Sequence, residues 1–236
     1  CIPLPDATAS EDGASCFVNP MTALGFVETM KMEGHKAIVH TAAASNLGQM
    51  LNRICLSDGV PLVNIVRSED QVALLKAEGA VHVVNSSDAD FSDQLAVAVN
   101  ATGATLAFDA IGGGKLGNAI LMAMEAAAVK RMSEWSRYGS NEFKQLYIYG
   151  ALDLAPTSLN RGYGFSWGIG GWLLTPFMMK AGREVVDRMQ ARVVAELTST
   201  FASSYSDRIS LVESVTPSAG AKYGVRRTGQ KALITF

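Results

Sequence analysis

The sequence has little cysteine, no excess of basic residues and no long apolar run. Its three cysteines, Cys1, Cys16 and Cys55, are odd in number and widely spaced, a pattern typical of neither a disulfide framework nor a zinc lobe. The formal net charge of −2 gives no cationic field, which argues against nucleic acid and anionic membranes as partners. No apolar run reaches the roughly 20 residues of a membrane span. These features predict a cytoplasmic protein that binds a small neutral or anionic molecule.

Residues typical of a metal site or a catalytic triad are also missing. The three histidines, His35, His40 and His82, have no ligand spacing, so we expect structural or surface roles for them and no catalytic zinc. The sequence has no recognisable nucleophile triad. Tyrosines are conceivable proton donors but are more often half-buried packing residues; this applies to Tyr138, Tyr149 and Tyr163. We therefore name no catalytic residue from the sequence.

Short β-branched runs alternate with helical stretches from residue 37 onward. The predicted strands are residues 37–42, 62–67, 81–85, 105–112 and 145–151. The predicted helices between them are residues 46–56, 69–77, 90–100 and 115–132. This alternation is typical of repeated βαβ units with right-handed crossovers. It predicts an α/β protein with a doubly wound parallel sheet of the Rossmann type.

The part of the chain after the fifth strand is dense in glycine and aromatic residues. It is followed by a predicted helix at residues 183–197 and a terminal strand at 231–235. We expect a sixth, edge strand around residues 171–174. Trp172 and Leu173 on such an edge would favour pairing with a second copy, which predicts a homodimer. The alternative is an edge that the chain's own helix covers.

The turn after the first strand is similar to a phosphate-binding GxGxxG turn in which two glycines are replaced. In this frame the residues are Ala43, Ala44, Ser45, Asn46, Leu47 and Gly48. Small residues allow a pyrophosphate to approach the backbone, and the helix that begins at Asn46 provides free N–H groups. Gly48 would permit close packing of helix on strand. The alternative is an ordinary turn capped by Ser45, but its position after the first of several parallel strands favours phosphate binding.

The second strand ends in Arg67 and Ser68, where NAD-binding proteins place an acidic residue for the ribose 2′-hydroxyl. A guanidinium binds a 2′-phosphate in a bidentate manner but gains nothing from a hydroxyl. The sequence therefore predicts NADPH as the cofactor. The alternative is a surface arginine that pairs with Glu69 or Asp70.

The fourth predicted strand continues into residues 108–114, which end in three glycines. We expect these glycines to be free to approach a ligand at the carboxyl edge of the sheet. Asp109, in the same segment, is expected to fix its own loop by accepting backbone N–H bonds.

Several segments together, in their order and spacing, are similar to one family. They are residues 19–26, 38–51, 62–67 with the following helix and 78–80, 108–114, 147–152 and 228–234. On these segments the chain resembles the medium-chain dehydrogenase/reductase superfamily, and within it the zinc-independent NADPH:quinone oxidoreductase-like branch.

The resemblance implies a strand order of 3-2-1-4-5-6, dimerisation through the sixth strands and an NADPH site along the sheet edge. The implied cofactor contacts are Ser45, Asn46, Leu47 and Gly48 at the pyrophosphate, Arg67 with Ser68 at the 2′-phosphate, Ala110, Ile111, Gly112, Tyr149 and Gly150 along the nicotinamide half, and Arg226 at a further phosphate contact.

The resemblance also implies a domain division. Residues 1–19 are expected to be a remnant of a GroES-like substrate domain, 20–200 the dinucleotide-binding domain and 201–236 the C-terminal part of the substrate domain, so that the chain is the C-terminal two-thirds of a larger reductase. The implied function is hydride transfer from NADPH to a quinone or an activated enone. Three alternatives stay open: a relative of zinc-type alcohol dehydrogenases, a non-catalytic nucleotide-binding protein and an inactive fragment.

Overall fold

The computed structural model describes residues 2–224 and 231–235. Its helices are α1 (Ser10–Gly13), α2 (Val18–Met32), α3 (Asn46–Asp58), α4 (Glu69–Ala77), α5 (Phe91–Thr102), α6 (Leu116–Lys130), α7 (Leu174–Ala181), α8 (Arg183–Ala195), α9 (Leu211–Ser214) and α10 (Pro217–Gly224). Its strands are β1 (Ile38–His40), β2 (Leu62–Val66), β3 (His82–Asn85), β4 (Leu106–Asp109), β5 (Gly112–Gly114), β6 (Lys144–Ile148), β7 (Asp153–Thr157), β8 (Trp167–Gly171), β9 (Asp207–Ser210) and β10 (Ala232–Thr235).

Six of these strands form the central sheet in the order β3-β2-β1-β4-β6-β8, and every neighbouring pair is parallel. Counted within this sheet alone, the order is the predicted 3-2-1-4-5-6. The predicted α/β doubly wound fold is therefore confirmed. The strand order reverses between β1 and β4, and in such sheets ligands bind outside the carboxyl ends of the strands at this point.

Helices cover both faces of the sheet. Ile38 and Phe108 point to the face covered by α2, α3, α7 and α8. Val39 and Ala107, their neighbours along the same strands, point to the face covered by α5 and α6. Because side chains alternate along a strand, a strand buried on both faces must be apolar at successive positions. This burial explains the continuous apolar runs in the sequence.

The three glycines after β4 do not stay free, contrary to the expectation from the sequence. Gly112–Gly114 form β5, which pairs with β7 in a separate two-stranded sheet. A Cβ on Gly113 would lie 2.6 Å from the carbonyl oxygen of Ala155. The small residue at this position therefore allows close approach of the chain's own backbone rather than of a ligand.

The sixth strand of the sheet lies earlier than predicted. It is β8, which overlaps the expected residues 171–174 only at Gly171, because α7 already begins at Leu174. Trp172 is only 9% exposed, and its indole Nε1 donates to Thr29 Oγ1 at 3.0 Å. Gly25 makes room for this ring, because a Cβ there would lie 2.9 Å from it. Trp172 therefore belongs to the core and not to the sheet edge, whereas Leu173 is 65% exposed; dimerisation stays a prediction.

Helix ends follow residues that the sequence suggests. α3 ends at Gly59, which has a φ of +67° and so occupies a region that favours glycine. Ser68 lies at the N-cap position of α4, but its side chain makes no capping hydrogen bond. Within residues 2–224 and 231–235, no helix has both the length and the apolar character needed to span a membrane.

Candidate functional site

The predicted cofactor contacts follow the carboxyl ends of β1, β2, β4 and β6, with one exception: Arg226 lies outside the described residues. The turn after β1 is joined to β2 where the N–H of Ala43 donates to the carbonyl of Ile65 at 3.1 Å. The end of β6 is joined to β4 where the N–H of Tyr149 donates to the carbonyl of Asp109 at 3.0 Å. The structure thus brings the remaining predicted residues to one continuous edge of the sheet.

The first turn of α3 presents backbone N–H groups at this edge. Ser45 caps the helix, because its Oγ accepts from the N–H of Gly48 at 3.2 Å and its carbonyl accepts from the N–H of Gln49 at 2.9 Å. Among the described residues, the N–H groups of Asn46 and Leu47 have no acceptor. The capped-turn interpretation is therefore correct for Ser45, and two N–H groups with a positive helix end still remain for an anion.

Gly48 sets the distance between α3 and the turn. A Cβ at this position would lie 2.1 Å from the carbonyl oxygen of Ala43. The predicted reason for Gly48, close packing of helix on strand, is confirmed. The left-handed backbone conformation in the turn falls on Ala42, with a φ of +50°. Ser45 has a φ of −65°, so its position does not require glycine for conformational reasons.

A polar cluster from distant parts of the chain contacts the start of α3. The side-chain amide of Asn46 donates to Ser203 Oγ at 3.1 Å, and Ser15 Oγ donates to the same oxygen at 2.8 Å. Lys231 Nζ lies 3.5 Å from Ser203 Oγ, and burial lowers the pKa of this lysine. The sequence analysis missed Lys231, for which the one available signal was a cation just before the terminal strand. The Asn46 side chain is therefore engaged within the protein.

Arg67 has an exposed guanidinium at the end of β2. Its backbone is fixed, because its N–H donates to Gln71 Oε1 at 3.0 Å and its carbonyl accepts from Ser87 Oγ at 2.9 Å. Within the described part of the chain Arg67 forms no ion pair, so the alternative pairing with Glu69 or Asp70 is not observed. The side chain is available for an anion at the end of β2, the strand that pairs with β1.

Asp109 fixes the loop after β4. Its carboxylate accepts from the N–H of Ile111 at 2.9 Å, from the N–H of Gly112 at 3.1 Å and from Thr41 Oγ1 at 2.7 Å. Thr41 Oγ1 in turn accepts from the N–H of Ala110 at 2.8 Å. The predicted loop-fixing role of Asp109 is confirmed, and these bonds hold the backbone of the implied nicotinamide contacts in one conformation.

An open cavity of about 520 Å³, called here the Tyr149 groove, follows the ends of β6 and β8. Its lining residues are Ile148, Tyr149, Gly150, Ala151, Gly171, Trp172, Leu173 and Pro176. A Cβ on Gly150 would lie 2.6 Å from the carbonyl oxygen of Ala110. Glycine at this position therefore lets β6 approach the loop after β4, so that the groove adjoins the loop held by Asp109.

A buried histidine contacts the tyrosine that lines this groove. His40 is 0% exposed, and its Nε2 lies 2.7 Å from the hydroxyl of Tyr149. Burial lowers the pKa of His40 to about 3, and burial together with the charge of Asp109 raises the pKa of Tyr149. Both groups are therefore neutral at ordinary pH. The sequence analysis expected a structural role for His40 and did not find this partner.

The other two histidines lie apart from this pair. His35 Nδ1 bonds Thr105 Oγ1 at 2.7 Å, and His82 begins β3. In the ranges that the structure describes, no group of three or more His, Cys, Asp or Glu residues is arranged to hold a metal ion.

The doubly wound sheet has a helix N-terminus at its reversal point, after β1, and a free guanidinium at the end of the neighbouring strand β2. This arrangement defines the class of protein: a Rossmann-type dinucleotide-binding fold. No protein-family model matches the chain. It is similar to a candidate NADPH:quinone reductase from Mesorhizobium loti, with 28% identity and a TM-score of 0.80 over 100% of this chain and 63% of that chain.

Two further solved structures share the fold at lower identity. A mutant enoyl thioester reductase from Candida tropicalis is 18% identical, with a TM-score of 0.69 over 98% of this chain and 63% of that one. A mycobacterial protein in complex with NADPH is 18% identical, with a TM-score of 0.67 over 99% of this chain and 66% of that one. The chain therefore spans slightly less than two-thirds of the length of these proteins. The chain therefore shares the fold of these reductases, which is the fold that the resemblance in the sequence motifs implies.

Proposed function

We propose that this chain is the cofactor-binding part of an NADPH-dependent oxidoreductase. Two observations at neighbouring strand ends carry the proposal together: the unpaired guanidinium of Arg67 at the end of β2, and the first turn of α3 after β1, where the N–H groups of Asn46 and Leu47 lack acceptors. This arrangement offers one anion site for a pyrophosphate and a second for a 2′-phosphate. The likeness to a candidate NADPH:quinone reductase supports the same cofactor.

The residues at the carboxyl edge of the central sheet fit a dinucleotide along its whole length. The α3 turn would hold the pyrophosphate, and Arg67 would hold the phosphorylated ribose. The loop fixed by Asp109 would present the backbone of Ala110 and Ile111 to the nicotinamide half. Gly150, which lies close to Ala110, would bound that half from the side of β6. Because these groups are already hydrogen-bonded in position, binding would require little reorganisation.

The substrate class that we propose is a quinone or an activated enone. NADPH, when bound, supplies the hydride for such a reduction. The contribution of this chain would be to orient the cofactor and to limit water at the Tyr149 groove, whose lining is mostly apolar. A developing enolate needs hydrogen-bond donors rather than a nucleophile.

We also propose the domain division that the resemblance implies. Residues 1–19 would be a remnant of the substrate domain, 20–200 the dinucleotide-binding domain and 201–236 a second part of the substrate domain.

Binding of NADPH and NADH to the chain, followed by tryptophan fluorescence, tests the cofactor assignment. We expect the wild type to bind NADPH at least tenfold more tightly, because a charge-assisted pair with the 2′-phosphate contributes about 1.5–3 kcal/mol. Arg67→Asp should abolish this preference. Arg137→Asp is the matched control: it makes the same charge change in the loop before β6, at the opposite edge of the sheet. An unchanged preference in Arg67→Asp, or equal loss in both variants, would refute the role of Arg67.

An assay of NADPH oxidation with a panel of quinones and enones tests the activity itself. We expect turnover with at least one acceptor. Tight NADPH binding without turnover would instead favour a non-catalytic nucleotide-binding protein.

A further inference from the structure

In the hydrogen-bonded pair of His40 and Tyr149, one ring nitrogen of the histidine lacks a partner. His40 Nδ1 is buried and has no hydrogen-bond partner among the described residues. Nε2, the other ring nitrogen, is bonded to the tyrosine hydroxyl at 2.7 Å. The two rings are nearly parallel, at an interplanar angle of 17°, and Phe26 packs against both. The pair is therefore held in one geometry, and the position of the single imidazole proton determines which partner donates.

The burial of Nδ1 favours the tautomer that carries its proton on Nε2. A proton on Nδ1 would leave a buried N–H donor without an acceptor, and orphaned N–H groups are rarer in proteins than under-satisfied acceptors. A proton on Nε2 leaves only a lone pair unpaired and makes His40 the donor to the tyrosine oxygen. The O–H proton of Tyr149 is then not used by His40.

The lining of the Tyr149 groove has few side-chain hydrogen-bond donors, so the O–H proton of Tyr149 decides whether the groove can donate to a ligand. Of its lining residues, only Tyr149 and Trp172 have a side-chain hydrogen-bond donor. The indole N–H of Trp172 is already donated to Thr29. The phenolic O–H is thus the one side-chain donor of the lining that remains for a ligand. Tyr149 joins the end of β4 through its backbone bond to Asp109 and the end of β1 through its bond to His40.

We propose that His40 is a positioning residue that accepts no proton from Tyr149 but holds its oxygen, so that the Tyr149 O–H donates a hydrogen bond to a carbonyl oxygen of the bound ligand. This inference rests on the proposed function for the presence of a ligand. The carbonyl has two possible sources: the carboxamide of the nicotinamide ring or the carbonyl group of the acceptor.

The tautomer is tested on the wild-type chain without any ligand. A two-bond proton–nitrogen correlation spectrum distinguishes the two neutral forms of an imidazole, and His40→Gln identifies the resonance. We expect the Nε2–H form, with no titration between pH 5 and 8. A spectrum of the Nδ1–H form would overturn the proposal, because Tyr149 would then donate to His40 and not to a ligand.

The donor role is tested by binding to Tyr149→Phe, with Tyr147→Phe as the matched control. Tyr147 lies two residues earlier, inside β6, and its hydroxyl bonds Glu33 instead, at 2.9 and 3.0 Å from the two carboxylate oxygens. The probes are NADPH, 2′,5′-ADP, which lacks the nicotinamide, and cyclohex-2-enone added to the NADP⁺-saturated protein. Thermal unfolding confirms that each variant folds.

Each source predicts a different pattern. If the carboxamide is the acceptor, Tyr149→Phe weakens NADPH binding about tenfold and leaves 2′,5′-ADP unchanged. If the acceptor substrate provides the carbonyl, only the affinity for the enone falls by that factor. The proposal would be overturned if Tyr149→Phe lowered neither the affinity for NADPH nor that for the enone, or if Tyr147→Phe lowered them equally.

The contribution of His40 is tested by two variants. His40→Phe, which removes the donor, should reproduce the pattern of Tyr149→Phe, whereas His40→Gln, which keeps an N–H donor, should restore part of the affinity. If His40→Phe and His40→Gln lowered the affinity equally, a positioning role for His40 would be contradicted. A wild-type chain that binds neither NADPH nor 2′,5′-ADP would refute the proposed function, whereas binding of both with an unaffected Tyr149→Phe variant would refute only this inference.

Discussion

Gly48 is the single residue whose replacement the candidate site tolerates least. We expect Gly48→Ala to lower the free energy of unfolding by about 3 kcal/mol, because its Cβ would meet the Ala43 carbonyl and force helix and strand apart. Gly220→Ala in α10 is the control, since a Cβ there has no atom within 4 Å, and its effect should stay within about 1 kcal/mol. Denaturant unfolding measures both. Similar midpoints for the two variants would contradict the packing role of Gly48.

His40 makes stability depend on pH. The unfolded chain protonates this histidine below its ordinary pKa of 6.5, whereas the folded chain resists protonation down to about 3. The contribution of neutral His40 is therefore complete above pH 6.5 and is lost as the pH falls, by at most about 1.4 kcal/mol per pH unit. Denaturant unfolding of His40→Gln between pH 7 and 4.5 should show a shallower slope than the wild type. His82→Gln, at a more exposed site, should change the slope less.

The sequence predicted those structural roles that depend on local order. The packing of Gly48 after β1 and the loop bonds of Asp109 at the end of β4 were both indicated by their neighbours in the sequence, whereas the role of Arg67 after β2 stays a prediction. The partners of His40 and Trp172 are 109 and 143 positions away in sequence. No local pattern encodes such a pairing, because it depends on how α2, β6 and β8 pack.

At the level of secondary structure elements, a buried ion pair joins α6 to the start of β6. Lys144 Nζ donates to the carboxylate of Glu125, and both residues lie in the interior. Burial alone would raise the pKa of Glu125, but hydrogen bonds from Lys144 and Ser140 lower it below its usual value. Lys144 also donates to the carbonyl of Glu142 at 2.7 Å. Every charge here has a partner, so the loop before β6 is fixed at the edge opposite the candidate site.

We expect Lys144→Met to lower the free energy of unfolding by about 3–5 kcal/mol, because it leaves the Glu125 carboxylate buried and unpaired. The double variant with Glu125→Met should recover much of this loss. Arg131→Ala is the control, since its ion pair with Glu142 is 40% exposed on the arginine side and should contribute at most about 1 kcal/mol. Equal losses of stability in Lys144→Met and Arg131→Ala would show that the buried ion pair contributes no more than the exposed one.

Elements with strong apolar periodicity were predictable, and elements rich in glycine were not. β1 to β4 and α3 to α6 lie close to their predicted residues because most of them bury a recognisable apolar set, although α4 buries only Leu75. β5 and β8 contain three glycines each in three and five residues. β5 therefore has no side chains to alternate and β8 has only Trp167 and Ile169, so the sequence placed the sixth strand too late.

At the scale of the whole molecule, β8 ends the central sheet and pairs only with β6 among the described strands. Its Ile169 is partly exposed. We propose that two copies of the chain associate through this edge, although Trp172 is not available for the contact. Light scattering after size-exclusion chromatography should give a dimer for the wild type and a monomer for Ile169→Lys, because a charge on an edge strand opposes pairing. A wild-type monomer at all concentrations would end this proposal.

The approach of α3 to the turn after β1 has a wider consequence. A pattern search that demands three glycines passes over this chain, because alanine and serine occupy two of the positions. What persists is the short distance between the first helical turn and the Ala43 carbonyl, which a side chain on residue 48 would prevent. Turns whose glycines have been replaced in this way would be found more readily by measuring that spacing than by matching letters.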